Sequence, residues 1–388
     1  MQEREIKSKK VIIGGKGCTR KIEIGGGAPI SIQTMWKESL HLCNLNDIAK
    51  RLEKLKQFGC DIVRFAVPDE LSAKKLVKLS YLTSMPLVAD IHFNHHLALI
   101  CMDGNVAKIR INPGNIGSKE NVIAVVKKAI SKGVALRIGV NSGSLPKDLM
   151  KKLQCEKDKL LSNNQLPNNN EKIIELNAKL MAEAAFRELE ILDSTGFENA
   201  IVSIKSSNVR ETILANEFFR EKRKEPLHLG VTEAGPLISG IVKSSIAFNA
   251  LLNKGIGETI RVSLSDTMES EIIAGKEILN ECGKRNESVK IISCPRCGRR
   301  GFDVHGFLER WQERFFTINK DITIAIMGCV VNGPGEASQA DLGITGSPDT
   351  VVIFKKGKHI NTIKLKDMPD EMKNNIIDEA FEKELKRL

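Results

Sequence analysis

A (β/α)8 barrel of the TIM type, followed by a small α/β domain, is the fold class that three observations on this chain predict. Short β-branched runs alternate with helical ones eight times between residues 30 and 283. Eight such units in roughly 260 residues match the size of one barrel. No glycine-rich dinucleotide fingerprint follows the first strand, which demotes the runner-up, a doubly wound sheet. The polar stretch Gly283-Lys-Arg-Asn-Glu-Ser-Val-Lys290 then separates the repeats from a segment of different character. The expected domains are a barrel over residues 1–283 and a second domain over 290–388.

The elements follow in order. Ile30–Met35 predicts the first strand, after a turn at Gly25-Gly26-Gly27, and Asn46–Phe58, closed by Gly59, its amphipathic helix. Asp61–Val67 is the second strand, with a helix after Pro68-Asp69, and Pro86–Asp90 the third, with a helix from Asn94. Ala107–Ile111 is the fourth; a loop then leads to a helix that Ser118 caps and that ends at Lys132. Ala135–Val140 is the fifth, and its long helical stretch ends near Gly196. A polar surface insertion, Cys155 to Asn170, interrupts it. Ala200–Lys205, Leu227–Val231 and Thr259–Leu264 complete the barrel, the last helix ending at Gly283. Beyond the boundary the pattern predicts a helix over Phe302–Phe316, strands at Ile322–Met327 and Thr350–Phe354, and a charged helix from Asp370.

Composition narrows the functional class. The 388 residues are 41% hydrophobic, as in a soluble globular protein, and no apolar run reaches the length of a membrane span. The start, Met1-Gln-Glu-Arg-Glu-Ile-Lys7, lacks a signal-peptide core, so a cytoplasmic protein with no membrane partner is expected. Nine scattered cysteines, an odd number, argue for reduced thiols, most of them small buried hydrophobes. A net charge of +11 raises nucleic-acid binding, but aromatics are only 4% and there is a single tyrosine, so base-stacking platforms are scarce. The lysines of Lys7–Lys21 and Lys147–Lys159 read as solvated faces, and no nucleic-acid partner is expected.

Two features carry chemistry. The first is Cys294-Pro-Arg-Cys297-Gly with a distant Cys329 and, in the same glycine-rich stretch, Glu336. Cysteines at i and i+3 in a tight turn aim two sulfurs at one point, which suits a soft metal centre. A structural zinc site closes its tetrahedron with a second Cys or His pair, and none follows. Three thiolates on an iron–sulfur cluster leave one iron to a weaker ligand or open. A zinc knuckle completed by a carboxylate or His305 is the alternative, and with the basic pI it gives a second reading, a zinc-stabilised RNA-binding protein.

The second feature is charge inside the barrel strands, where active sites lie at the C-terminal ends. Arg64 is in strand two; Asp90 and His92 end strand three; Arg110 is in strand four and Arg137 in strand five, with Asn141 after it. Lys205 ends strand six, Glu233 follows strand seven, and Arg261 and Ser263 are in strand eight. A lone strand arginine is ordinarily a solvated edge residue or a paired charge. Five cations converging on one mouth are costly to desolvate together unless an anion neutralises them. The arginine fork matches phosphate oxygens, so a phosphate or diphosphate substrate is expected.

With both features in one chain, the sequence resembles the IspG (GcpE) family of 4-hydroxy-3-methylbut-2-enyl diphosphate synthases over nearly its whole length. The motifs are Gly25-Gly-Gly-Ala-Pro-Ile30, Gly59-Cys-Asp-Ile-Val-Arg64, Ala89-Asp-Ile-His-Phe93, Arg110-Ile-Asn-Pro-Gly-Asn-Ile-Gly117 and Arg137-Ile-Gly-Val-Asn-Ser-Gly-Ser144. Ser203-Ile-Lys205, His228-Leu-Gly-Val-Thr-Glu-Ala-Gly235, Gly257-Glu-Thr-Ile-Arg-Val-Ser-Leu264, Cys294-Pro-Arg-Cys-Gly-Arg299 and Gly328-Cys-Val-Val-Asn-Gly-Pro-Gly-Glu336 follow in the family's order.

The resemblance implies reductive opening of 2-C-methyl-D-erythritol 2,4-cyclodiphosphate with loss of water, using electrons from flavodoxin or ferredoxin. It implies a 4Fe–4S cluster on Cys294, Cys297 and Cys329, with Glu336 on the fourth iron at rest and Asn332 among the substrate contacts. It also implies a homodimer in which each cluster domain covers the partner's barrel. The chain departs from the family after Gln33, where Thr34-Met-Trp-Lys-Glu-Ser-Leu40 replaces a Thr/Asn-rich stretch, and in the Asn-rich insertion after strand five. The extra domain of plant members is absent, which leaves the compact two-domain form.

Overall fold

The computed structural model describes residues 7–112, 116–162, 169–286, 288–295, 301–329, 338–347 and 349–388. They fall into two units, Met1–Arg285 and Asn286–Leu388.

The first unit opens with an antiparallel hairpin, β1 (Val11–Ile13) and β2 (Ile22–Ile24), that the basic composition of this segment does not predict. Its inward residues Val11, Ile13 and Ile24 pack with Ile62, Val88, Ala107, Ala135 and Ile201, which stand at or near the starts of barrel strands. The hairpin is therefore an apolar plug for the N-terminal end of the barrel. The signal is the alternation in Val-Ile-Ile and Ile-Glu-Ile, too short to register among the flanking lysines.

Eight parallel strands follow: β3 (Ser31–Met35), β4 (Ile62–Ala66), β5 (Leu87–Asp90), β6 (Lys108–Ile111), β7 (Ala135–Asn141), β8 (Ala200–Lys205), β9 (His228–Leu229) and β10 (Thr259–Ile260). β3 pairs with both β4 and β10, and a parallel bridge from Val202 to Leu227, just before β9, closes the ring. The last two strands are shorter than expected, so Arg261 and Ser263 lie beyond β10 rather than in it. Outside the ring stand α1 (Leu45–Gln57), α2 (Glu70–Leu79), α3 (His95–Cys101), α4 (Lys119–Lys132), α5 (Lys147–Ser162), α6 (Asn169–Asp193), α7 (Val209–Lys222), α8 (Leu237–Leu252) and α9 (Met268–Glu281).

Short polar side chains start several of these helices: Asn44, Asp69, Asn94, Asn208 and Thr267 each accept a first-turn N–H. Ser118 is a correction, because it holds the cap position of α4 but makes no cap hydrogen bond; it bonds the Glu120 carboxylate instead. The insertion is a second correction. Cys155 to Ser162 continue α5, with Gln154 bonded to Asp158 at 2.8 Å and Lys159 paired with Glu156 at 2.7 Å; residues 163–168 lie outside the described set. No helix among the described residues is long and apolar enough to cross a membrane.

The second unit is a five-stranded sheet in the order β11 (Val289–Ser293), β12 (Ile322–Ile326), β13 (Leu342–Ser347), β14 (Thr350–Lys355), β15 (Lys358–Lys364). β11 to β13 are parallel; β13 to β15 are antiparallel. α10 (Val304–Thr317) and α11 (Asp370–Leu385) share an aromatic core in which the Phe381 ring meets Trp311 edge-on at 5.1 Å. β11, β13 and β15 are not predicted by pattern. β13 contains Gly343 and Gly346, and Gly343 is required because the Phe354 ring occupies the place of a side chain, 2.1 Å from an added Cβ.

Removing the buried methyls of Ile13 tests the plug. Ile13→Ala should lower unfolding free energy by roughly 2–5 kcal/mol in a urea titration. A loss under about 1 kcal/mol would mean the hairpin only rests on the barrel.

Candidate active site

Residues in register on neighbouring parallel strands share a face. Asp90 of β5, Arg110 of β6 and Arg137 of β7 are successive partners, Arg64 of β4 lies opposite Met35 and Val88, and Asn141 lies opposite Lys205. The period of two places all of them on the inner face, toward the C-terminal end. Lys108, two residues before Arg110, joins them one layer deeper and is fully buried. It was missed from sequence, although Arg110 and the period of two were the signal.

Two carboxylates organise these cations. Asp90 accepts from Arg110 Nη1 at 3.1 Å and lies 3.7 Å from Arg64 Nε and 3.3 Å from His92 Nε2. Burial raises its carboxyl, but Arg64, His92 and Arg110 outweigh that and hold it well below the usual carboxylate range. Across the mouth, Glu271 of α9 accepts from Thr34 Oγ1 at 2.7 Å and the Leu264 N–H at 3.1 Å; Lys37 lies at 3.1 Å and Arg261 at 3.9 Å. Glu271 had no sequence signal, being one acid among several on a surface-type helix. Lys37, in the atypical stretch after the first barrel strand, reaches the mouth as well.

Seven basic side chains, Lys37, Arg64, Lys108, Arg110, Arg137, Lys205 and Arg261, thus share two organising carboxylates among the described residues. Arg64 Nε, Arg110 Nε, Arg137 Nε and Nη1, Arg261 Nε and Lys108 Nζ are buried without a hydrogen-bond partner there. Burial, with Arg261 and Arg110 nearby, lowers the Arg64 guanidinium to about 10 despite Asp90. Burial and neighbouring cations push Arg137 and Lys205 well below their ordinary values. Glycines make room for the charged heads: a Cβ on Gly139 would stand 2.7 Å from Arg110 Nε, and one on Gly230 would stand 2.5 Å from Lys205 Nζ. Donors held rigidly with excess positive charge are a site for a compact polyanion.

Above the cations, a cavity of about 370 Å³ is lined by Lys37, Glu233, Arg261, Ser263, Asp266 and Glu271. A neighbouring one of about 400 Å³ shares Lys37 and Arg261 and adds Trp36 and Pro68. Glu233 is exposed on a left-handed backbone, φ +50°, which aims the loop after β9 at the mouth. His92 is half exposed beside Asp90.

In the second unit, Cys294 follows β11 and Cys329 follows β12, and Ser293 is the register partner of Ile326. The Cys294 N–H donates to Ile326 O at 3.0 Å, and a Cβ on Gly328 would lie 3.6 Å from Cys294 Sγ. Two half-buried thiols therefore emerge at the same end of adjacent strands, a donor arrangement that fits a thiolate-held metal cluster. Cys297, Asn332 and Glu336 lie outside the described residues. None of the eight described cysteines forms a disulfide. Among the others, only Cys60 and Cys101 are buried, their thiols pushed up to about 12 by desolvation. That corrects the expectation that most are buried: Cys18 and Cys155 are exposed, one in a hairpin turn and one on a polar helix.

Gly230→Ala should drive the Lys205 head aside and weaken binding of inorganic diphosphate about tenfold, the size of one charge-assisted hydrogen bond. Equilibrium binding measures this, and an unchanged affinity would place Lys205 away from the anion.

Comparison with known proteins agrees along both units. The GcpE TIM-barrel domain matches residues 16–276 and the GcpE protein C-terminal domain residues 290–378. A curated 4-hydroxy-3-methylbut-2-en-1-yl diphosphate synthase (flavodoxin) of Treponema denticola is 58% identical over 97% of this chain and 97% of its own length. The enzyme of the same name from Treponema pallidum is 53% identical over 98% and 92%, and that of Clostridium tetani 42% over 90% and 95%. Both the barrel and the cysteine-bearing unit are thus accounted for by one family, and the chain belongs to the GcpE family.

Proposed function

We propose that this chain is a 4-hydroxy-3-methylbut-2-enyl diphosphate synthase, reductively opening 2-C-methyl-D-erythritol 2,4-cyclodiphosphate with loss of water in isoprenoid precursor synthesis. The observation that carries the reading is the cluster of uncompensated cations at the C-terminal end of the barrel, in a chain 58% identical to a curated synthase. Arg64, Arg110, Arg137, Lys205 and Arg261 bind the diphosphate, which brings the missing negative charge. His92, Asn141, Ser263 and Asn332 add hydrogen bonds that orient the ring. Glu233 moves a proton at the departing hydroxyl, as an exposed carboxylate at the mouth can.

Cys294, Cys297 and Cys329 would hold a 4Fe–4S cluster, with Glu336 as the labile fourth ligand, and that cluster would supply one-electron chemistry. The donor is flavodoxin or ferredoxin, in the cytoplasm. Glu336, a harder and weaker ligand than a thiolate, would hold the fourth position less tightly than the three cysteines hold theirs. The active unit is a homodimer. A zinc-stabilised RNA-binding protein has no such use for arginines enclosed in the barrel.

Cys329→Ser should abolish the ~400 nm thiolate-to-iron absorbance together with activity; iron content like that of the unaltered protein would remove Cys329 from the ligand set. Mixing a Cys297→Ser chain with an Arg110→Ala chain should restore partial turnover, since one mixed site carries neither lesion. Mixed dimers that form and stay inactive would show that each site is built within a single chain.

A further inference from the structure

The cation layer at the mouth rests on a second polar layer that the proposed reaction does not use. It comprises Gln33 on β3, Lys108 on β6, His228 on β9 and Thr259 on β10, with His228 and Thr259 in register. All four are buried to 1% exposure or less. Both amide atoms of Gln33, Lys108 Nζ, both ring nitrogens of His228 and Thr259 Oγ1 lack a hydrogen-bond partner among the described residues. Buried polar atoms are ordinarily satisfied, and a group of exceptions in one layer needs a reason.

Charge supplies the reason. Arg137, Arg64 and His228 are the charged and titratable groups that act on Lys108, and Asp90, Arg110, Lys205 and Arg261 surround Arg137 in turn, with Glu271 at the rim. Of the two acids, Asp90 is taken by Arg110, Arg64 and His92, and Glu271 by Thr34, Lys37, the Leu264 N–H and Arg261. Among the described residues no counter-charge remains for a buried ammonium, which is costly without one. We propose that Lys108 is a second tier of the anion site, a neutral amine in the resting barrel that takes a proton from solvent when a diphosphate docks above it. Substrate binding is then coupled to proton uptake, and Lys108 is a positioning residue that adjusts the lumen's charge to its ligand.

The electrostatics agree with that geometry. Burial, then Arg137 and Arg64, push the Lys108 amine well below its ordinary value, and burial with Lys205 and Arg137 does the same to the His228 imidazole. Strand geometry puts Lys108 about 7 Å below the level of Arg110. At that range, through protein rather than water, a multiply charged anion favours the ammonium strongly. Neutral His228, Gln33 Oε1 and Thr259 Oγ1 are acceptors in the same layer that a new ammonium can use. The sign follows: binding raises the proton affinity of Lys108. Protons are therefore taken up between its depressed resting value and its value in the complex, and affinity falls as pH rises through that window.

The inference rests on the reading that the mouth binds a diphosphate. In the cyclic diphosphate each phosphorus carries one strongly acidic oxygen, so the ligand has no proton to exchange near neutrality. Calorimetric titration of this ligand into cluster-loaded protein, without oxygen, in buffers of different ionisation enthalpy at about pH 8 counts the protons. The unaltered protein should take up protons, and Lys108→Met about one fewer, with an affinity up to about tenfold less sensitive to each pH unit. Equal uptake in the two proteins would assign the proton to His228 or Lys205 and overturn the proposal. If Lys108→Met and Lys108→Gln both fail to fold, carbon NMR of labelled lysine in the unaltered protein decides. A Cε signal assigned to Lys108, told from that of Lys205 by comparison with Lys205→Met, moving from amine to ammonium position on adding ligand supports the proposal, and a Lys108 signal that stays put overturns it. Binding without proton exchange overturns this inference alone, whereas no binding at all overturns the diphosphate reading with it.

Discussion

Asp90 carries the arrangement on which the rest of the barrel's chemistry depends. It sits at the end of β5, nearly inaccessible, and draws Arg64, Arg110 and His92 toward one point. Without it, four strands would bring like charges together with nothing to hold them. With it, two guanidinium groups are oriented while donor atoms remain uncommitted. Glu271 does the same at the opposite rim for Arg261 and Lys37. Two acids among seven basic side chains are enough to fix positions and too few to neutralise them, which suits the mouth to an anion.

The rest of the fold serves that balance. The hairpin ahead of the barrel closes its lower end with Val11, Ile13 and Ile24, so the polar layers above are screened from water on that side. A dry floor raises the cost of every unpaired charge over it and thus the gain when an anion arrives. Gly139 and Gly230 contribute by absence of a side chain, leaving the volume that Arg110 and Lys205 occupy. In the second unit, parallel pairing of β11 with β12 brings Cys294 beside the Gly328-Cys329 stretch, though the two cysteines are far apart in sequence.

Much of this was legible in the chain. The eightfold alternation gave the barrel, because buried parallel strands and their helices have different periods and regular spacing. The arginines were recognisable as unusual because charges seldom stand in barrel strands. The elements missed were those with weak local signals: a three-residue hairpin among lysines, strands interrupted by glycine, and a helix continuing through Cys155 to Ser162 where polar composition suggested a loop. In each, contacts made elsewhere in the fold outweigh local preference.

By itself the sequence determined the fold class and the family, since residue identity and spacing suffice for those. Tertiary structure alone decided which charges are compensated. Asp90 and Glu271 lie far from one another and from most of their cations along the chain, and no spacing rule links a helix acid to an arginine just beyond a strand ten residues earlier. It also decided that Lys108 and His228 share a buried layer, because that depends on strand register around a closed ring. Electrostatic energy depends on distance through space and on exclusion of water, and folding sets both.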